Sequence, residues 1–256
     1  MKKMWYVTDW LSPSLRRTTG KTSKMQRHTN KLTMNLRLIR WPLGCLIFLL
    51  ASCHSNTEIA PLKMTAADTL SEIQRIERAQ VEISQIKPVV QTGDLITRTG
   101  NDFTSESLRS LNQRNQTYSH CGIAWVENDS VFVFHALGGE FNPDQKLLKE
   151  SLEVFADPQS NRGIGIYRFN INPDQVQGVL KKVHEFYALP VTFDMQFDLE
   201  SEEKMYCAEF VVKSYQKGTD NLLNFPVSKI NNFLFFGVDD LFLHPSCKPI
   251  GQIVYK

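Results

Sequence analysis

Two β-rich runs, Gly122-Ile123-Ala124-Trp125-Val126-Glu127 and Ser130-Val131-Phe132-Val133-Phe134-His135-Ala136, flank the dipeptide Asn128-Asp129. Branched and aromatic side chains suit a pleated backbone, and an Asn-Asp link tolerates the positive φ angles of a two-residue hairpin. The chain is thereby committed to an antiparallel ladder near its middle, which the other elements must cover. A short strand is expected at Leu95-Ile96 after a Gly93-Asp94 turn, with others at 165–169, 232–236 and 250–255. Apolar residues recur at three- and four-residue steps over 70–86 (Leu70, Ile73, Ile76, Ala79, Ile83, Ile86) and over 173–187 (Val176, Val179, Leu180, Val183, Phe186). Pro88 stops the first of these helices. Shorter helices are expected at 105–111 and 207–216, whereas 193–204 is acidic and irregular. The pattern predicts an α+β fold, with helices packed against one antiparallel sheet.

Charge divides the 256 residues unevenly. The formal net charge is +2, yet residues 1–52 hold ten lysines and arginines against one acid, Asp9. The remainder holds 19 basic and 26 acidic residues, a mildly acidic body without basic clusters, which argues against nucleic-acid binding. From Met34 a basic stretch leads into the apolar core Leu43-Gly44-Cys45-Leu46-Ile47-Phe48-Leu49-Leu50 and then Ala51-Ser52-Cys53. A positive flank, a short apolar core and small residues mark a secretory signal, too short for a permanent membrane span. Leu50-Ala51-Ser52-Cys53 also resembles the lipobox of bacterial lipoproteins, which implies lipidation at Cys53. The expected division is 1–33, an extension ahead of a true start at Met34; 34–52, the lipoprotein signal peptide; 53–70, a tether; and 71–256, the folded domain. The expected location is the extracytoplasmic side of a bacterial envelope, anchored by lipid.

The chemistry concentrates in two segments, Tyr118-Ser119-His120-Cys121-Gly122-Ile123 and Met205-Tyr206-Cys207-Ala208-Glu209-Phe210. A thiol at a helix N-terminus sits at the positive end of the helix dipole, which favours thiolate. A histidine on a neighbouring strand can take its proton. Cys207 is therefore the candidate nucleophile and His120 the candidate base. His135, across the hairpin, is placed to orient His120. Backbone N–H groups at the helix start offer an oxyanion site, and Tyr118 and Tyr206 are candidate oxyanion or substrate contacts. Tyr118 falls on the face of His120 if the strand reaches back that far. Against this stand plainer readings: a lone cysteine opening an apolar helix is commonly a buried small hydrophobe, and a strand-end histidine is commonly structural. Cys121 is read as core, facing away from His120; Glu209 as a cap or pair within the helix; Asp194 and Asp198 as a solvated loop; His54, His184 and His244 as structural or solvent-facing. No CxxC or Cys/His spacing appears, so neither a metal nor another cofactor is expected. With Cys45 in the signal core and Cys53 at the lipid site, Cys121, Cys207 and Cys247 leave at least one thiol without an intramolecular partner.

Gly93-Asp94-Leu95-Ile96, the Tyr118 to Ile123 motif, Phe134-His135-Ala136 and Tyr206-Cys207-Ala208-Glu209-Phe210-Val211 occur in that order. Together they resemble the permuted NlpC/P60 papain-like cysteine hydrolases of the YaeF/YiiX type, related to the lecithin–retinol acyltransferase-like proteins. The resemblance spans roughly residues 88–215. It implies a circularly permuted papain-like fold, with the nucleophile's helix following the sheet, and assigns nucleophile and base to Cys207 and His120, with His135 as the third member. It also implies cleavage of amides in an envelope substrate, such as a peptidoglycan stem peptide, through a Cys207 acyl-enzyme. Two alternatives stay open. One is a thiol acyltransferase or lipid amidase or esterase, for which the apolar run around Phe233-Leu234-Phe235-Phe236 and Leu241-Phe242-Leu243 would suit an acyl lipid. The other is a catalytically inactive envelope-binding module.

Overall fold

The computed structural model describes residues 66–139 and 142–256, all within the compact unit Pro61–Lys256. The expected extension, signal peptide, Cys53 and most of the tether lie outside the described residues. In chain order the elements are α1 (Ala66–Ile86), β1 (Leu95–Gly100), α2 (Phe103–Leu111), β2 (His120–Glu127), β3 (Ser130–His135), β4 (Leu148–Ser151), α3 (Leu152–Phe155), β5 (Asn161–Phe169), α4 (Pro173–Ala188), α5 (Cys207–Gly218), β6 (Ser228–Ile230), β7 (Phe233–Phe235), α6 (Val238–Phe242) and β8 (Cys247–Val254). The main sheet has the order β4-β3-β2-β1-β5-β8, every neighbouring pair antiparallel. The fold is α+β.

The hairpin forms where its composition demands. Asn128 and Asp129 both take positive φ, 47° and 62°, which matches the twist of the strands they join. Strand alternation then sends successive side chains to two cores. Leu95, Cys121, Ile123 and Phe134 pack with Val179 and Val183 of α4 and with Phe210 and Val211 of α5. Ile96, Ala124, Val133, Ile164 and Ile166 pack instead with Ala79 and Ile83 of α1 and with Leu152 and Phe155 of α3. The sheet is covered on both faces, which explains why its central runs are apolar on both sides. Each fully buried Leu, Ile, Val or Phe contributes about 1.5–3 kcal/mol.

Helix α4 begins at a reciprocal cap. The Asn172 side chain accepts from the Gln175 N–H, the Gln175 side chain accepts from the Asn172 N–H, and Pro173 opens the first turn. Midway along, α4 touches the end of α5 backbone to backbone. A Cβ on Gly178 would stand 2.1 Å from the carbonyl oxygen of Gly218, so only glycine permits this crossing. The contact fixes how α5 lies on the sheet, and hence where Cys207 is presented.

Several boundaries differ from the sequence expectation. Helix α1 starts at Ala66, so the end of the expected tether is helical. The late strand expected at 232–236 is confined to β7, which pairs with β6 in a separate hairpin turning at Asn231, not with the main sheet. Strand β4 and helices α3 and α6 were unexpected. All three are short, and β4 is a half-exposed edge strand whose polar residues carry little β signal.

Candidate active site

Cys207 is the first residue of α5, and Tyr206 before it is extended, with φ −89° and ψ 174°. Cys207 is almost wholly buried, at 6% exposure. It accepts hydrogen bonds from the Cys121 thiol and from the backbone N–H groups of Cys121 and Ala208. The Ala208 N–H is one of the unpaired donors of the helix start. The Cys121 N–H is free because pairing between β2 and β3 begins only at Ile123↔Phe134, so beyond that point the two strands part. The Cys121 thiol holds the Cys207 pKa below the usual thiol range, aided by the two N–H groups and the charge of Arg98, with burial opposing. Burial and the neighbouring sulfur push Cys121 well up. Its place at the start of α5, at the positive end of the helix dipole, favours Cys207 as the thiolate of the pair.

On the same stretch of sheet a relay of side chains leads away from His120. Its Nε2 lies 2.9 Å from His135 Nδ1, and His135 Nε2 lies 3.0 Å from Glu150 Oε2. An ionised carboxylate only accepts. Glu150, held below the usual carboxylate range by the His135 hydrogen bond, therefore takes a proton-bearing Nε2 from His135. The His135 Nδ1 is then bare and must accept from His120 Nε2–H. His120 is left with an unprotonated Nδ1, the form of a base. That nitrogen makes no hydrogen bond to the described residues, Cys207 included.

Phe155 is the platform beneath this relay. Its ring centroid is 5.6 Å from that of His120, 5.1 Å from that of His135 and 4.7 Å from the Arg98 guanidinium. Arg98 is the cross-strand partner of His120 and donates to the Phe155 carbonyl at 2.8 Å. Burial, the charge of Arg98 and the neighbouring ring hold His120 well below the ordinary imidazole range. His135 is lowered by burial, with Glu150 opposing.

The remaining candidates are placed as follows. Tyr118 does not share the face of His120: β2 starts at His120, the chain bends before it, and Tyr118 packs on the α5 side against Tyr167 and Phe242. Its hydroxyl accepts from Tyr167 at 3.2 Å and presses on Gly165. Tyr206 spends its hydroxyl on the Phe236 N–H, at 2.6 Å, and stacks on Phe197. Glu209 pairs with Lys213 at 2.7 Å inside α5, and burial pushes its carboxyl up to about 7. Asp194 is buried, accepting from the N–H groups of Gln196 and Asp198, and organises the loop before α5. His184 is clasped by Trp125 and Phe134, and His244 packs on Phe169 and Phe225.

A small hollow of about 20 Å³ lies beside Cys207, lined by Leu108, Leu111, Phe197, Phe235, Phe236 and Val238 together with Asn112 and Ser119. Among the described residues no charged side chain lines it. Among the described residues no group of three or more His, Cys, Asp and Glu side chains is arranged to hold a metal ion. Three contributors escaped the sequence: Glu150, Arg98 and Phe155. Arg98 sits cross-strand from His120, which the pairing of Leu95-Ile96 with the hairpin would have revealed had its register been known.

No protein-family model matches the chain, and no curated protein matches it. Among solved structures it is similar to the metalloprotein yiiX from Escherichia coli O157:H7, DUF1105, at 18% identity and a TM-score of 0.53. The match covers 64% of this chain and 98% of that one. At that identity the likeness speaks for architecture alone: the chain has a YiiX-like fold.

Proposed function

We propose that the chain is a cysteine hydrolase of circularly permuted papain-like, NlpC/P60-related type, cleaving an amide through an acyl-enzyme on Cys207. The observation that carries this reading is the ordered relay from Glu150 through His135 to His120; Cys207, its acidity raised at a helix start, lies on the α5 side of the sheet. In the proposed reaction His120 Nδ1 takes the thiol proton and the sulfur attacks the carbonyl carbon. The oxyanion is held by N–H groups at the start of α5. His120 returns the proton to the leaving nitrogen, and water, activated by the same imidazole, releases the acid. Glu150 offsets the positive charge on the relay.

The proposed substrates belong to a bacterial envelope, with Cys53 as a lipid anchor. Among the described residues no helix is long and apolar enough to cross a membrane. Peptidoglycan stem peptides are one candidate. The second reading is a thiol acyltransferase or lipid amidase or esterase; apolar side chains surround the hollow beside Cys207, which has room for about one water and would have to open to admit an acyl chain. A catalytically inactive envelope-binding module remains the third reading; it predicts that Cys207 resists alkylation.

The test is the pH dependence of iodoacetamide labelling, with each cysteine assigned by peptide mass. The expected result is selective labelling of Cys207 well below the free-thiol pKa of about 8.5, slowed in His120→Ala. Equal rates in His120→Ala and wild type would sink the proposed pairing. Labelling only near the ordinary thiol range would favour the binding module.

A further inference from the structure

Cys121 is a second thiol fully buried against the first. Strand alternation sends it to the face on which α5 packs, into the same apolar core as Cys207. Helix α5, which Cys207 opens, packs directly on β2, and both cysteines are buried in the core between them. Neither cysteine is in a disulfide. Packing alone would be served by alanine or valine, and neither carries a thiol to the nucleophile's sulfur.

We propose that Cys121 and Cys207 form an oxidative modification site, at which a hydroperoxide converts the pair reversibly to a disulfide. The proposal rests on the reading of Cys207 as an activated thiolate. In the first step the Cys207 sulfur attacks the terminal oxygen of the hydroperoxide and the O–O bond breaks. Cys207 is oxidised to the sulfenic acid, and the departing oxygen is reduced and leaves as the protonated alcohol or water. In the second step the Cys121 sulfur attacks the Cys207 sulfur, the S–O bond breaks, and hydroxide leaves with the Cys121 proton as water. Once Cys207 is a neutral sulfenic acid, the smaller of the two obstacles to ionisation of Cys121, the negative sulfur, is gone, and burial is the one left. The disulfide blocks the nucleophile and shields it from irreversible sulfinic oxidation, and an external dithiol restores both thiols. Cys247 is the internal control, since burial pushes its pKa up to about 12.

The experiment treats the full chain with hydrogen peroxide, quenches with iodoacetamide, and maps peptides by mass before and after dithiothreitol. The expected product is a Cys121–Cys207 cross-link, lighter than the two thiol peptides by two hydrogens. It should be lost on reduction, with labelling of Cys207 recovered and Cys247 untouched. In Cys121→Ala the same treatment should carry Cys207 to the sulfinic acid, a gain of two oxygens that dithiothreitol does not reverse. Wild-type protein that gives sulfinic Cys207 while Cys121 remains alkylatable overturns the proposal and leaves the hydrolase reading standing. A Cys207 that neither labels at neutral pH nor oxidises overturns both.

Discussion

Glu150 sets the tautomers of His135 and His120, because an ionised carboxylate can only accept and each ring nitrogen then has one role left. Glu150→Gln should therefore slow iodoacetamide capture of Cys207 near neutral pH by about tenfold, since the amide can donate as well as accept and the base form is no longer enforced. The melting temperature should move little, because Glu150 sits on an edge strand at 26% side-chain exposure. A rate equal to wild type would show that the relay has no role beyond His135. Cys207, His120 and His135 were legible in the sequence because each stands at a local signal: a helix start, a strand start and a hairpin arm. Glu150 was not. It lies in the four-residue strand β4, whose place beside β3 is settled by long-range pairing. Cys121 was half legible. Alternation correctly turned it from His120 into the core, but which helix covers that face is a tertiary fact.

At the scale of elements, the nucleophile depends on how α5 is seated, and that seat is the crossing with α4. Gly178→Ala would force a methyl group against the Gly218 carbonyl. It should cost about 1–3 kcal/mol, read from urea unfolding. It should also slow labelling of Cys207, because shifting α5 moves the sulfur away from Cys121 on β2. Asn172→Ala provides the contrast. Loss of the cap should cost about 1 kcal/mol while leaving Cys207 labelling as in wild type. If the two variants affect labelling alike, the crossing does not position the thiol. Helical periodicity found α1, α4 and α5, since each keeps one apolar face over several turns. It missed α3 and α6, which are too short to show a period, and the β6–β7 hairpin diverted an apolar run that composition alone assigned to the main sheet.

For the whole molecule, buried ionisable groups pull the pH dependence of stability in opposite directions. His120 and His135 are held below their ordinary value of 6.5, so below that pH the unfolded chain takes up protons that the folded chain refuses. Their contribution is complete above 6.5 and is lost as the solution is acidified. Glu209 works the other way. Its folded pKa of about 7 exceeds the ordinary 4.5, so between these values the folded chain keeps a proton that the unfolded chain has released, and acidification stabilises. Glu209→Gln should therefore make the loss of stability between about pH 8 and about pH 5 steeper than in wild type, by urea midpoints. Parallel profiles would show that Lys213 keeps Glu209 ionised. The overall architecture was legible as α+β because strands and helices announce themselves locally; the two-sided burial of the sheet was not, since it depends on where α1 and α3 return. One further consequence follows from the order of the elements. The histidines lie on early strands, the sulfur on a late helix, and β8, last of all, completes the sheet beside β5. During synthesis the proposed base emerges long before the proposed nucleophile, and a partly made or unfolded chain carries a thiol of ordinary acidity. On the proposed reading, reactivity is thus born only with the finished fold, and a nascent chain is spared the side reactions of an activated thiol.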